Sequence, residues 1–423
     1  MSPLRVGRRQ TLGVLFGLLG LFLVAYVAGN LAEVDKGLTF EPPPDALKIV
    51  FSPTTLVTAI GLIFVLTGVA SFFERRSERL VTGSLLLSTI LFIPLVIVVA
   101  LALSDAPDTN VTQLLVESLR LGTPIALGAM AGLWCERAGV VNIGIEGMML
   151  ASAGMGFMTY ALVGDAHDPA ALWLSVAVAV VTGGGIALLH ALLSVSFRVD
   201  QIISGVVINL LALGLTGFLR SEVIVPSGIS TGVPTGTVPL PGLSKIPILG
   251  PQLFTNRPIF FAMFVIVGVT AFVLFRTPFG LRVRSVGENP HAAETLGIDV
   301  IRIRYTAVVI GGLIAGLGGA WFSLESQAGF EDSMTNGAGF IALAALIFGK
   351  WRPSTAFAGA MLFGFTRALG SRLQFLGVTV GDFSIPSEFW QSLPFVVTII
   401  VVAGAVGRAV APASDGVPFE RSR

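Results

Sequence analysis

Long apolar runs, broken only by short polar intervals, restrict this chain more than any motif does. A helix needs about 20 mostly apolar residues to cross a bilayer, and within lipid every backbone N–H and C=O must be satisfied inside the segment. About twelve runs approach that kind, near 11–29, 54–73, 81–103, 113–133, 140–163, 171–195, 202–220, 258–276, 305–323, 338–349, 355–372 and 390–407. The run at 338–349 is too short to cross alone unless Gly337, Gly339 or the following KWRP lie within the membrane boundary. Hydrophobic residues fill 54% of 423 positions and charged residues 12%, with a mean hydropathy of +0.87, well outside the range of soluble domains. The expected fold class is all-α, a polytopic membrane protein of about 10–12 transmembrane helices.

Arg5, Arg8 and Arg9 precede TLGVLFGLLGLFLVAYVAG, which nears span length and lacks a clear cleavage pattern. It reads as a retained first helix rather than a signal peptide. With a cytoplasmic N-terminus, the inner loops hold Arg5, Arg8, Arg9, Arg75, Arg76, Arg79, Arg137, Arg198, the five arginines of 276–304, Lys350, Arg352, Arg408, Arg421 and Arg423. The outer loops hold only Lys36, Lys48, Arg220, Lys245, Arg257 and Arg372. Cytoplasmic loops are enriched in Lys and Arg, so both termini and the stretch 276–304 are expected in the cytoplasm, with the chain in the cell (inner) membrane.

Net charge is +1, which gives no bulk attraction for nucleic acid. A single cysteine, Cys135, excludes an internal disulfide, and His167, His190 and His291 show no metal-ligand spacing. No GxxxxGK[ST] loop occurs. Gly183-Gly184-Gly185 and GGLIAGLGG at 311–319 lie inside apolar runs, where small residues let helices approach closely. The chain is expected to carry no cofactor, no metal and no ATPase of its own.

Polar residues at membrane depth are the next candidates, because burying them is unfavourable unless they face protein or water. Glu117 and Arg120 are three apart on a helix and read as a structural ion pair. Pro124 is expected to loosen or kink that span. Asn142 and Glu146, four apart in AGVVNIGIEGMML, are expected on one helical face as pore or gate residues. Asn209 is a third candidate, with a hydrogen bond to a neighbouring helix as the alternative. Glu325, Gln327, Glu331, Asp332 and Asn336 could guide a solute, face a partner or simply be solvated. The proline- and glycine-rich loop 221–257 predicts an irregular surface segment.

Between two spans stands RTPFGLRVRSVGENPHAAETLGIDVIRIR, residues 276–304. Asn289 is placed to cap a short helix, Pro290 suits its first position, and Gly297 suits the left-handed position after its end. The arginines framing it, Arg276, Arg282, Arg284, Arg302 and Arg304, are expected at the membrane boundary. A docking helix and an ordinary connector both fit this pattern.

Four pieces, TPIALGAMAGLWCERAGVVNIGIEGMML (123–150), DQIISGVVINLLALG (200–214), RSVGENPHAAETLGIDV (284–300) and GAGFIALAALIFGKWRP (337–353), resemble the membrane subunits of ATP-binding-cassette importers in the branched-chain amino acid, ribose and nucleoside group. The likeness is greatest to nucleoside or simple-sugar permeases, and GENPHAAETLGI is its most specific string. The resemblance implies a type II importer-like core in which Gly287, Glu288, Asn289, Pro290, Ala292, Ala293 and Gly297 form the ATPase-coupling loop. It also implies cytoplasmic ABC ATPase subunits, a second and commonly different permease subunit, and an extracytoplasmic solute-binding lipoprotein or periplasmic receptor.

Three regions are expected: an N-terminal membrane extension at 1–110, the permease core at 111–410 and a short cytoplasmic tail at 411–423. The solute is expected to be a nucleoside, with a simple sugar or a vitamin such as riboflavin also compatible. A self-contained secondary transporter would show more ionisable residues near span centres than Glu117, Arg120 and Glu146 provide. An enzyme would need a nucleophile, a metal constellation or paired acids facing one cavity, and none can be assembled.

Overall fold

The structure is a computed structural model that describes residues 8–27, 29, 31, 34–40, 48–72, 78–104, 106–163, 169–228, 231–247, 250–376, 379–380, 383–384, 386–393, 395 and 409–421. Pro42-Pro43-Pro44, Arg5, Arg75, Arg76, His167, Arg408, Arg423 and most of the expected span 390–407 lie outside the described residues. The chain groups into two compact units, 1–116 with 366–407, and 117–365 with 408–423. Residues 366–407 of the expected permease core thus group with the N-terminal helices, and 408–410 with the segment that follows.

In the first unit, α1 (Arg8–Phe22) continues through a wide π-type turn, Leu23–Val27, and packs on α2 (Pro53–Ser71) and α3 (Glu78–Ala102). Pro53 at the first position of α2 loses no hydrogen bond, since that N–H has no helical partner. The α1–α2 seam is lined by small residues: a Cβ on Gly17 would lie 3.0 Å from the Cα of Gly68. Leu23, Val57, Phe64, Leu95 and Val98 fill the core between these helices. Beside them β1 (Lys36–Thr39) pairs antiparallel with β2 (Lys48–Phe51) and parallel with β3 (Asp108–Asn110).

The second unit is built on α4 (Val111–Arg137, from 117 on), α5 (Ile145–Val163), α6 (Pro169–Ala191), α7 (Gln201–Leu219), α8 (Pro258–Arg276), α9 (Pro278–Glu288), α10 (Pro290–Thr295), α11 (Val300–Ala320), α12 (Ala338–Phe348) and α13 (Pro353–Phe375, as far as 365). The helices α6, α7 and α11 run on through π-type turns, Leu192–Ser196, Arg220–Ile224 and Trp321–Ser326. Among the described residues, eight helices (α1–α4, α6–α8 and α11, with α1, α6, α7 and α11 counted with their π turns) are long and apolar enough to cross a membrane. At 11 residues, α12 extends only about 16 Å, half of a bilayer core. Pro124 stays within a continuous α4.

The central contact is α6 against α11, where the two glycine-rich pieces meet. A Cβ on Gly316 would lie 2.7 Å from the carbonyl oxygen of Ala179, and one on Gly183 would collide with the Gly312 carbonyl. The other faces of α11 press on α5 through Gly319 and on α4 through Gly311. Asp200 starts α7, its carboxylate accepting from the N–H groups of Ile202 and Ile203 at 2.9 and 3.0 Å.

Candidate functional site

Within 276–304 the expected caps of the short helix are present. Thr277 ends α8 in extended backbone and caps α9, accepting from Gly280 N–H at 3.2 Å. The Asn289 side-chain Oδ1 caps α10 by accepting from Ala292 N–H at 3.0 Å, with Pro290 at the first position. Gly297 has a φ of +79°, a conformation open to glycine without strain. Asp299 then caps α11 by accepting from Arg302 N–H at 3.1 Å. Only Pro290 and Ala293 of α10 are buried, while His291, Ala292 and Thr295 are exposed and the following Leu296 is 81% exposed.

Arg304 departs from its expected place at the membrane boundary. It is fully buried and donates to the Val417 carbonyl at 2.9 Å. The segment 409–421, expected as a tail from 411 on, lies against the ends of α9, α10 and α11. Ser414 N–H donates to the Gly287 carbonyl at 2.9 Å, Ala413 N–H to Glu288 Oε2 at 3.2 Å, and the Ser414 hydroxyl to the Glu288 carbonyl at 3.2 Å. Phe419 is buried with Val286, Ala293 and Val300, its ring 5.2 Å from that of His291. Burial raises the Asp415 carboxyl to about 7, against the opposing pull of Arg304.

The expected helix at 140–163 begins only at Ile145, so Asn142 and Glu146 do not share a helical face. Gly139, with a φ of +80°, ends α4, and the backbone of Val141 bonds to side chains instead of a helical ladder. Its N–H donates to Gln201 Oε1 at 2.7 Å, and its carbonyl lies 3.0 Å from His190 Nε2. Asn142 is fully buried, donating to Cys135 Sγ and Met148 Sδ at 3.4 and 3.6 Å.

Glu146 sits in the first turn of α5 and caps a different helix. Its Oε1 accepts from the Thr335 hydroxyl at 2.6 Å and Gly337 N–H at 2.9 Å, and its Oε2 from Gly339 N–H at 2.7 Å, all at the start of α12. A carboxylate there meets both free N–H groups and the positive end of the helix dipole. Glu325, read above with the surface acids, repeats the arrangement. It is buried and accepts from Ile259 and Phe260 N–H, at 2.6 and 3.0 Å, at the start of α8. Its solvated reading is excluded, whereas Asp332 pairs with Arg220 at 2.8 Å.

Asn209 joins α7 to α5, accepting from Gly147 N–H at 2.8 Å and donating to the Ile143 carbonyl at 3.1 Å. Glu117 and Arg120 approach to 3.9 Å with both side chains nearly half exposed, and Arg120 also donates to Asn256 at 2.8 Å. A cavity of about 630 Å³ is lined by Arg137, Phe348, Lys350, Arg352, Thr355 and Val410. Among the described residues no group of His, Cys, Asp and Glu is arranged to hold a metal ion.

Sequence reading missed Glu325 as a cap, His190 and Gln201 as holders of the 138–144 turn, and the docked segment 409–421. The legible trace of the last was Phe419, a lone aromatic after Pro418 in an otherwise small and polar stretch.

Apolar helices bundled along glycine-lined seams, with a rigid capped helix standing between two of them, define a polytopic membrane permease. Residues 114–402 match the family described as branched-chain amino acid transport system / permease component, and the chain belongs to that family. It is a transport subunit rather than an enzyme. It is 39% identical to the guanosine ABC transporter permease protein NupQ of Bacillus subtilis (strain 168) over 312 residues, 72% of this chain and 96% of that protein. With the nucleoside ABC transporter permease protein NupC of Lactococcus lactis subsp. cremoris it shares 38% identity, covering 74% of this chain and 99% of that one. The putative glucose ABC transporter permease protein TsgC13 of Haloferax volcanii is 36% identical, over 70% of this chain and 92% of its own. No solved structure matches the chain at a significant level.

Proposed function

We propose that this chain is one of two membrane subunits of an ATP-driven importer and helps form the path for nucleosides. The observation that carries the reading is α10, held by caps at both ends and presenting His291, Ala292, Thr295 and Leu296 outward. The near full-length likeness to two nucleoside permeases supports the solute class. In this reading α10 faces the cytoplasm and enters a groove on a separate ATPase subunit. A second, different permease subunit completes the path, and an extracytoplasmic lipoprotein or periplasmic receptor delivers the solute.

Closure of the ATPase pair on ATP displaces α10. A bare loop would absorb that displacement, but Asn289, Pro290 and Gly297 make a stiff lever. Gly287, Glu288 and Ala293 join it to α9 and the core, Ala292 lies on its outward face, and α11 carries the movement to the glycine seam with α6. Asn209 and Glu146 hold the start of α5 beside the gate, with Asn142 packed behind them. Glu117 and Arg120 serve as a structural pair.

The test is uptake into vesicles holding the permeases, the ATPase and the receptor. Labelled guanosine should accumulate saturably with ATP, and Leu296→Asp should reduce uptake at least tenfold while the chain stays in the membrane. Uptake that continues without ATP, driven by an ion gradient, sinks the reading. A simple sugar is the second reading, favoured by the likeness to the putative glucose permease. Accumulation of labelled glucose but not guanosine decides for it.

A further inference from the structure

A six-residue helix is far below the length at which helices hold in isolation. Two buried side chains, Pro290 and Ala293, give α10 little packing of its own. What lies beneath Ala293 is Phe419, contributed by a segment more than 120 positions away in sequence and beyond the residues matched to the family.

That segment bonds to several elements at once. Through Ser414 and Ala413 it grips the end of α9 at Gly287 and Glu288. The Val417 carbonyl and Arg421 hold α11, the first accepting from Arg304 at 2.9 Å and the second 3.8 Å from Asp299. Glu420 meets Arg198, just past the π-type end of α6, at 2.7 Å. The turn at 413–416 closes with Gly416 at a φ of +77° and brings the Ser414 carbonyl over Gly139. The same strap therefore touches α9, α10, α11 and the end of α6, the helices through which movement of α10 would reach the glycine seam.

We propose that residues 409–421 are a positioning segment for coupling. Phe419 seats α10 against α9 and α11, and the strap makes these elements move as one body when the ATPase pushes. It follows that Glu288, whose carboxylate accepts from Ala413 N–H, serves to hold the strap rather than to meet the ATPase. This inference rests on the importer reading for its functional consequence, but not for its structural one.

The experiment compares Phe419→Ala, Phe419→Leu and deletion of 409–421 in the full transporter, by amide hydrogen exchange and by guanosine accumulated per ATP hydrolysed in vesicles. Phe419→Ala and the deletion are expected to speed exchange at 291–297 at least tenfold, with 311–319 unchanged. They should lower uptake per ATP at least fivefold, leaving the KM for ATP as it was. Phe419→Leu, which refills most of the apolar site, should restore both readouts to within twofold of the parent. Unchanged exchange in Phe419→Ala overturns the proposal, and so does faster exchange with uptake per ATP intact. Parent vesicles without ATP-dependent uptake would remove the importer reading, while the exchange measurement would still decide whether the strap seats α10.

Discussion

Glu146 and Asp415 show how far a side chain's role can lie from its neighbours in sequence. Glu146 accepts three hydrogen bonds at the start of α12, and a hydrogen bond to a charged group contributes about 1.5–3 kcal/mol net, less where water can replace the lost partner as at the half-buried Glu146. Glu146→Ala is expected to destabilise the folded protein by about 2 kcal/mol, with Glu146→Gln retaining part of that. Thermal unfolding in detergent checks it, and an unchanged midpoint for the alanine variant contradicts the capping role. Asp415 has its carboxyl raised to about 7 by burial. Docked, it holds a proton that the undocked segment, with an ordinary carboxyl near 3.9, releases. Docking is therefore favoured below about pH 4, weakens as pH rises toward 7 and levels off above it. Exchange at 409–421, corrected for intrinsic rate, should quicken from pH 5 to 7, and Asp415→Asn should flatten that trend. Arg304 and Glu136 face the same carboxyl, and His291 lies beside Phe419, so the Asn variant isolates the contribution of Asp415.

At the scale of elements, local signals were readable and distant ones were not. Asn289, Pro290 and Gly297 announce α10 because a cap depends on the backbone within a few residues of itself. Glycines at 183 and 311–319 announce a close seam for the same reason, although not which helix would fill it. The late start of α5 was hidden, because the bonds that hold Val141 come from His190 and Gln201, some fifty and sixty positions on. Arg304 looked like the other arginines of its stretch until Val417 and Asp415 were placed beside it. The seam itself gives a paired test. Gly312→Val would drive a methyl into Ala187 and the Gly183 carbonyl, and overpacking of this kind destabilises by about 1–3 kcal/mol. Gly185→Ala, on the facing helix α6 but with nothing within 4 Å of the new carbon, should be neutral or stabilising by up to about 1 kcal/mol. Equal unfolding midpoints for the two variants would remove the seam from the account.

Across the molecule, the fold class and the family were within reach of the sequence, since apolar run length sets the number of crossings and the four motif pieces lie in the matched region. The two capping carboxylates, Glu146 half-buried and Glu325 buried, add something that neither supplied. Glu146 stands on α5 and closes the head of α12, while Glu325 stands at the far end of α11 and closes the head of α8. Each is a pin through two helices, and turning either partner alone would break its bonds, leaving the buried Glu325 carboxylate and the buried Gly339 N–H without partners away from water. Any switch between facing one side of the membrane and the other must therefore shuffle yoked pairs, α5 with α12 and α11 with α8, rather than single helices. Spin labels placed across either pair should keep their separation between the nucleotide-free and ATP-bound transporter, and labels that part would unpin the yoke. The number of independently moving pieces is then smaller than the number of helices, and the short α12, unable to cross the bilayer by itself, travels as a passenger of α5.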